Sequence, residues 1–380
     1  RNVVGNYALS MGLAAAAERS KLGLFYGGYP ITPASDILHT LSAWKHLGIK
    51  TFQAEDEIAG ITSVLGAAFT GDLGITATSG PGIALKGEAM GLAVMAELPI
   101  VIINVQRGGP STGLPTKTEQ SDLMQAMYGR NGEAPVPVLA SSTPGDCFFA
   151  AYEACRIAVK YMTPVILLTD GYLANGSEPW QVPKVADLPD FDVSFADESN
   201  LADGQFLSYS RDKKTLARPW AIPGTPGLEH RIGGIETEDL TGNVSYDPDN
   251  HHYMVETRAK KVEAITNEIG PSEIFGNKSG ELLILSWRGT KGACRSATEA
   301  LQADGKKVSH LHLRWINPFP KDLGEKLIKF KHILIPEINY GQLIKIIRAE
   351  FLVDAQGLNQ VRGKPISSSD IQDAANKLIG

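Results

Sequence analysis

The chain has 380 residues, 42 acidic and 36 basic, for a net charge of -6, a balance that disfavours a nucleic-acid or anionic-membrane surface. Hydrophobic residues make up 43% and charged ones 21%, enough core for two or three domains, and no apolar run approaches the roughly 20 residues of a membrane-spanning helix. Cys147, Cys155 and Cys294 are scattered without a CxxC, which excludes a disulfide framework, leaves too few thiolates for an iron–sulfur cluster, and points to a reducing, cytoplasmic compartment.

In chain order, short apolar strands alternate with helical stretches through the first half. The expected strands are 22–26, 50–53, 75–79, 100–106, 136–140 and 165–169, and the expected helices 7–18, 34–47, 57–70, 83–96 and 145–161. That alternation predicts an α/β domain with a doubly wound parallel sheet over 1–195. Parallel strands are buried on both faces, so 100–105 reads as a nearly continuous hydrophobe. From about 189 to 250 the pattern fails, and a connecting segment with one helix (255–269) is expected over 196–275. Strands at 282–286, 308–313 and 332–336, with helices at 291–304, 321–330, 341–353 and 369–379, predict a smaller α/β domain over 276–380.

Four blocks could carry chemistry. Tyr29-Pro30-Ile31-Thr32-Pro33 follows a strand and precedes a helix, where open α/β sheets bind ligands; Thr32 would either serve that site or cap the next helix. Glu55, Asp56 and Glu57 open a small-residue helix, which the helix dipole alone explains, although a glutamate desolvated there could share a proton. Ser79-Gly80-Pro81-Gly82 lets a ligand approach backbone and a helix N-terminus, but no Walker lysine or dinucleotide GxGxxG accompanies it, which disfavours a nicotinamide-binding module. Arg107 at the end of the most buried strand could grip a carboxylate with its planar fork, or pair with a neighbouring acid in a surface turn. His310 and His312 alternate along one strand and share a face, with no third ligand to suggest a metal.

Together, YPITP (29–33), AEDEIA (54–59), TATSGPG (76–82), VQRGGPSTGLPT (105–116) and IPEINYGQL (335–343) resemble the α subunit of 2-oxoacid:ferredoxin oxidoreductases, closest to the 2-oxoglutarate type. The family resemblance implies a thiamine-diphosphate pyrimidine-binding domain followed by a transketolase C-terminal-like domain. It implies that Glu57, with Glu55 as fallback, contacts N1′ of the aminopyrimidine. Tyr29, Pro30, Ile31, Ser79 and Gly80 would line the cofactor, and Thr32, Arg107, Thr112 and Thr116 would hold the oxoacid's carboxylate and keto oxygen. Arg231 stands where broader-range relatives tend to carry an acid, so it is expected either to pair with the distal carboxylate of 2-oxoglutarate or to be a solvated loop arginine.

The family's thiamine site also needs a half signalled by GDG, and this chain has none. A β subunit is therefore expected to supply diphosphate binding, Mg²⁺ and a [4Fe–4S] cluster, in an (αβ)₂ assembly that uses CoA and ferredoxin. The reaction implied is CoA-dependent oxidative decarboxylation of 2-oxoglutarate to succinyl-CoA, or its reverse. Branched-chain oxoacids or pyruvate are the alternative substrates, and a scaffold for the β subunit the alternative role. The family's N-terminal γ domain is not in the sequence, so a trimmed chain or a separate γ subunit is expected.

Overall fold

A computed structural model describes residues 1–380. Its first sheet contains β1 (Leu24–Gly28), β2 (Lys50–Gln53), β3 (Leu73–Thr78), β4 (Ile100–Gln106), β5 (Val138–Ala140) and β6 (Val165–Asp170). Their order across the sheet is β5-β6-β4-β3-β1-β2, all parallel. The connecting helices are α1 (Gly5–Ser20), α2 (Ser35–Ala43), α3 (Glu57–Phe69), α4 (Pro81–Leu85), α5 (Gly87–Ala96), α6 (Leu123–Tyr128), α7 (Asp146–Tyr161) and the short α8 (Gly171–Asn175).

β4 explains its own sequence. Val101, Ile103 and Val105 enter the core under α1, α2 and α7, while Ile100 and Ile102 enter the one under α3 and α5. Side chains alternate between faces, so a central strand covered on both sides has to be apolar throughout. β2, by contrast, is an exposed edge strand whose Phe52 is half in solvent.

After α9 (Pro248–Ala264) the second sheet forms from β7 (Gly280–Trp287), β8 (Val308–Leu313), β10 (Phe330–Glu337) and β11 (Ala355–Asn359), with Ile274–Phe275 at one edge. β9 (Trp315–Asn317) leaves this sheet and pairs antiparallel with β5 as the first sheet's seventh strand. Helices α10 (Lys291–Ala303), α11 (Leu323–Leu327), α12 (Gln342–Phe351) and α13 (Ser368–Ile379) complete this half. Leu283, Leu285 and Leu313 share one core with α3 and α5, whereas Leu282, Ile284 and Leu334 pack under α10 and α13. One face of the second sheet is thus buried against the first unit.

Several expected elements differ. The helix expected over 83–96 breaks at Lys86, and that over 34–47 ends at Ala43 before a 3₁₀ turn. The stretch 321–330 is helical only over Leu323–Leu327, because Phe330 already starts β10. β9 and β11 were not expected: each is short, and Ala355-Gln-Gly-Leu-Asn lacks β-branched residues. α9 begins earlier than apolar spacing indicates because Asp247 accepts from Asn250 N at 2.7 Å and Pro248 occupies the first helical turn.

The irregular segment wraps the amino edge of the first sheet. Trp220 Nε1 donates to Ala68 O and Arg218 Nε to Ala96 O, each at 3.0 Å, closing the C-terminal ends of α3 and α5. Buried Glu97 receives Arg211 at 2.6 Å and also Lys261 from α9. Burial raises the Glu97 carboxyl, but the two cations outweigh it and hold the group down at about 2. A long non-repetitive segment is thereby tied to helix ends by satisfied polar groups.

Candidate active site at the carboxyl edge of the first sheet

The carboxyl ends of β1, β2, β3 and β4 deliver Tyr29, Glu57, Ser79–Gly80 and Arg107 to one edge, the usual place for a ligand in this architecture. Tyr29 Oη lies 2.7 Å from Thr78 Oγ1, both buried. Gly82 permits this approach: a Cβ there would fall 2.1 Å from Thr78 Oγ1, 2.2 Å from Tyr29 Oη and 3.0 Å from Glu57 Cγ. Burial pushes the Tyr29 phenol up and the neighbouring Glu57 carboxylate adds to it, against the Thr78 bond and the Arg107 charge.

The three acids at the start of α3 divide their work. Asp56 is the cap, accepting from Ala59 N at 2.8 Å, which meets the orphan donors of the first turn. Glu57 is left out of the cap and lies half-buried against Tyr29, while Glu55 is exposed. Thr32 does not cap α2, which has no side-chain cap; Ile31 O accepts from Ala34 N at 2.8 Å and Ser35 N at 3.0 Å as the turn enters the helix, and Ser35 Oγ bonds Ile31 N and O. The Thr32 carbonyl accepts from Arg107 Nη1 at 2.6 Å, and Pro30 and Ile31 form the rim of that turn.

Arg107 is almost wholly buried, and its Nε has no partner; Ser79 Oγ is likewise buried and unpaired. Gly80 lies in the left-handed region with φ +52°, and a Cβ on it would sit 2.9 Å from Arg107 Nε. Two unsatisfied donors on the loops beside Glu57 are a polar surface waiting for a ligand, since buried polar groups are otherwise paired. Thr112 and Thr116 stand exposed on a lobe closed at its base by Gly108 N donating to Lys117 O at 2.9 Å, without a bond to Arg107. Sequence reading overlooked Lys86, whose Nζ donates to Glu57 O at 2.8 Å and Thr76 Oγ1 at 3.1 Å.

Arg231 is not brought to this edge. Its neighbour His230 packs on Phe69 at the last residue of α3, 6.0 Å between ring centroids, and Arg231 itself is exposed. Glu57 is the first of the helix's 13 residues and Phe69 the last, so the His230–Phe69 contact lies about 18 Å from Glu57 along α3.

The second sheet holds the site loop in place. Gln120 Nε2 donates to Trp287 O at 2.9 Å, and Asn339 Nδ2 donates to Gln120 O at 2.8 Å. Asn339 Oδ1 also accepts from Gly341 N at 2.7 Å, starting α12. His310 Nε2 and His312 Nδ1 both meet Ser286 Oγ, at 2.7 and 2.8 Å, on one face as their alternation predicts. No helix is long and apolar enough to cross a membrane.

Residues 19–246 match the family described as pyruvate flavodoxin/ferredoxin oxidoreductase, thiamine diP-bdg (thiamine diphosphate-binding). The chain belongs to this family. It is 52% identical to the 2-oxoglutarate oxidoreductase subunit KorA of Mycobacterium tuberculosis, over 98% of this chain and 56% of that one. It is 34% identical to the 2-oxoglutarate synthase subunit KorA of Archaeoglobus fulgidus, over 84% of each. The chain thus spans about half the length of the longer relatives it matches. Among solved structures, the 2-oxoglutarate:ferredoxin oxidoreductase from Magnetococcus marinus, with 2-oxoglutarate, coenzyme A and succinyl-CoA bound, superposes with a TM-score of 0.93 at 35% identity, covering 100% of this chain and 65% of that one. A transketolase from Campylobacter jejuni shares the fold, with a TM-score of 0.53 at 12% identity, covering 99% of this chain and 47% of that one. The α-subunit resemblance and the thiamine-type α/β fold expected from the motifs are borne out by these likenesses.

For this family member the site residues fit a thiamine aminopyrimidine. Glu57 offers a carboxylate for a ring nitrogen, and Tyr29, Ser79 and Gly80 a wall with a free hydroxyl.

Proposed function

We propose that this chain is the α subunit of a 2-oxoglutarate:ferredoxin oxidoreductase, carrying out CoA-dependent oxidative decarboxylation of 2-oxoglutarate or its reverse. The observation that carries the reading is Glu57, spared from capping by Asp56 at the first turn of α3 and packed beside the Tyr29–Thr78 pair. Thiamine diphosphate, when bound, supplies the carbon nucleophile and the electron sink for decarboxylation. This chain's part is to hold the aminopyrimidine: Glu57 shares a proton with N1′, and Tyr29, Pro30, Ile31, Ser79 and Gly80 keep water from the ring. Arg107, with Thr32, Thr112 and Thr116, orients the oxoacid, a positioning role because the carboxylate leaves as neutral CO₂.

The other half of the site belongs to a β subunit bearing Mg²⁺, the diphosphate site and a [4Fe–4S] cluster that passes electrons to ferredoxin, in an (αβ)₂ assembly. Phe52, Ile58, Leu85 and Leu114, on segments that lead into the candidate site or follow it, are half-exposed, and large exposed apolar residues support a docking partner. A subunit contact is the route by which exposed Arg231 would serve a distal carboxylate, since its neighbour His230 packs on the far end of α3 from Glu57. The three buried cysteines carry no disulfide, which supports a cytoplasmic setting.

The test is Glu57→Gln in the assembled α–β complex, with thiamine diphosphate binding and oxoacid-dependent ferredoxin reduction measured. Loss of at least about 100-fold in turnover with assembly retained is expected. Full turnover would remove Glu57 from the reaction and leave Glu55 as the N1′ partner or the scaffold role, which Glu55→Gln then separates. Competition among 2-oxoglutarate, pyruvate and branched-chain oxoacids, with 2-oxoglutarate expected to prevail, tests the substrate.

A further inference from the structure

Lys86 occupies the break between α4 and α5, wholly out of solvent. Its ammonium donates to Glu57 O at 2.8 Å and to Thr76 Oγ1 at 3.1 Å, and lies 5.2 Å from the centre of the Tyr29 ring. Those three contacts account for the three protons of an ammonium, the last facing the negative face of an aromatic ring. Neither of its hydrogen bonds goes to a carboxylate.

A lysine is a poor choice here for packing alone. Burial opposes its charge, and a cation beside the first turn of a helix opposes the helix dipole. Methionine would fill the same space at lower cost. What lysine adds is a charge-assisted bond to the main chain of the residue whose carboxyl faces the cofactor, together with a positive field at that carboxyl.

We propose that Lys86 is a positioning residue that fixes the first turn of α3 and lowers the proton affinity of the pair formed by Glu57 and the thiamine aminopyrimidine. The inference rests on the reading of Glu57 as the N1′ partner. The groups facing Lys86 are few. Glu57 and Asp56 approach from α3 and Tyr29 from the β1–α2 turn, while β3 contributes neutral Thr76; Glu88 on α5 is exposed. Burial brings the lysine down to about 7, with Glu57 and Asp56 partly offsetting it, so the ammonium is present on the acid side of neutrality. There it disfavours a further proton at the Glu57–pyrimidine pair.

The test uses the α–β complex with thiamine diphosphate, following the near-ultraviolet circular dichroism of the bound aminopyrimidine against pH and the cofactor's Kd by calorimetry. In Lys86→Met the titration midpoint is expected to rise by about half a pH unit or more, since a removed cation no longer repels the proton. An unchanged midpoint in an assembled, cofactor-binding Lys86→Met complex overturns the inference. Should that variant fail to assemble, Thr76→Val keeps the shape but removes one acceptor of the ammonium, so Lys86 gives up its proton more readily. A smaller rise is then expected, and no rise overturns the inference. Glu57→Gln separates the two readings: it should abolish the titration, and if the titration persists unchanged it is the assignment of Glu57 that falls.

Discussion

Arg288 and Asp170 form an ion pair with both side chains wholly out of solvent, Nε to Oδ2 at 3.2 Å. Arg288 sits just past β7 in the left-handed region, φ +52°, and its guanidinium also donates to Gln106 Oε1, to Thr169 O at 3.0 Å and to Glu119 O at 2.7 Å. The other oxygen of Asp170 starts α8, accepting from Tyr172 N at 2.7 Å and Leu173 N at 2.9 Å. One arginine from the second sheet therefore clamps the ends of β4 and β6 beside the loop that carries Arg107. Replacing it with methionine leaves a buried carboxylate uncompensated, and a loss of about 3–5 kcal/mol is expected from denaturant unfolding. A loss below about 1 kcal/mol, the size of an ordinary surface change, would show that the clamp carries no stability.

Gly82 should behave unlike a helical glycine without close neighbours. Alanine at 82 places a Cβ against Tyr29 Oη and Thr78 Oγ1, forcing the pair apart and disturbing Glu57. Thiamine diphosphate affinity in the α–β complex should fall about tenfold or more, equivalent to about 1.4 kcal/mol. Gly66 in α3 has open space within 4 Å of where a Cβ would stand, so Gly66→Ala should leave binding unchanged and add about 0.5–1 kcal/mol of stability. Equal effects at both positions would refute the steric account.

Lys86 also makes a prediction about stability. Its folded pKa of about 7 lies below its ordinary 10.5, so between those values the unfolded chain holds a proton that the folded chain has released. Below about 7 both chains hold the proton and the burial penalty falls in full on the folded one; stability then rises with pH across the window toward 10.5, above which both chains are neutral and the penalty is gone. Lys86→Met should raise Tm at pH 6 and bring little gain near pH 10. An equal rise at both values would mean that the lysine's charge carries no cost.

Arg231 tests specificity. If a neighbouring subunit brings it to the site, Arg231→Ala should raise the KM for 2-oxoglutarate at least about tenfold, roughly the worth of a lost charge-assisted bond, and leave monocarboxylic oxoacids nearly unaffected. Equal changes for both classes would reduce Arg231 to a solvated loop residue.

The inner strands of the first sheet were legible because each is a short apolar run between turn signals, and burial on both faces explains the unbroken apolar run of β4, whereas the edge strand β2 is mixed and exposed. Helix ends were less so. Lys86 sits inside a run of small and apolar residues that reads as one helix, and only the structure shows the chain breaking there to bury an amine. β9 escaped notice because three residues before a proline carry no period; their partner, β5, lies far away in the sequence.

Local sequence was enough to set the order of the motifs and the loops they occupy, since strand-to-helix turns and capping patterns are written in neighbouring residues. Tyr29, Glu57, Ser79 and Arg107 could be assigned to strand ends from those residues alone. Which side chains meet was settled by packing. Tyr29 reaches Thr78 over a missing Cβ, Lys86 grips the main chain of Glu57, and Arg231 falls at the far end of α3. Such encounters depend on how distant segments pack, and a local pattern records only which residues can form a turn, not which turn they will face.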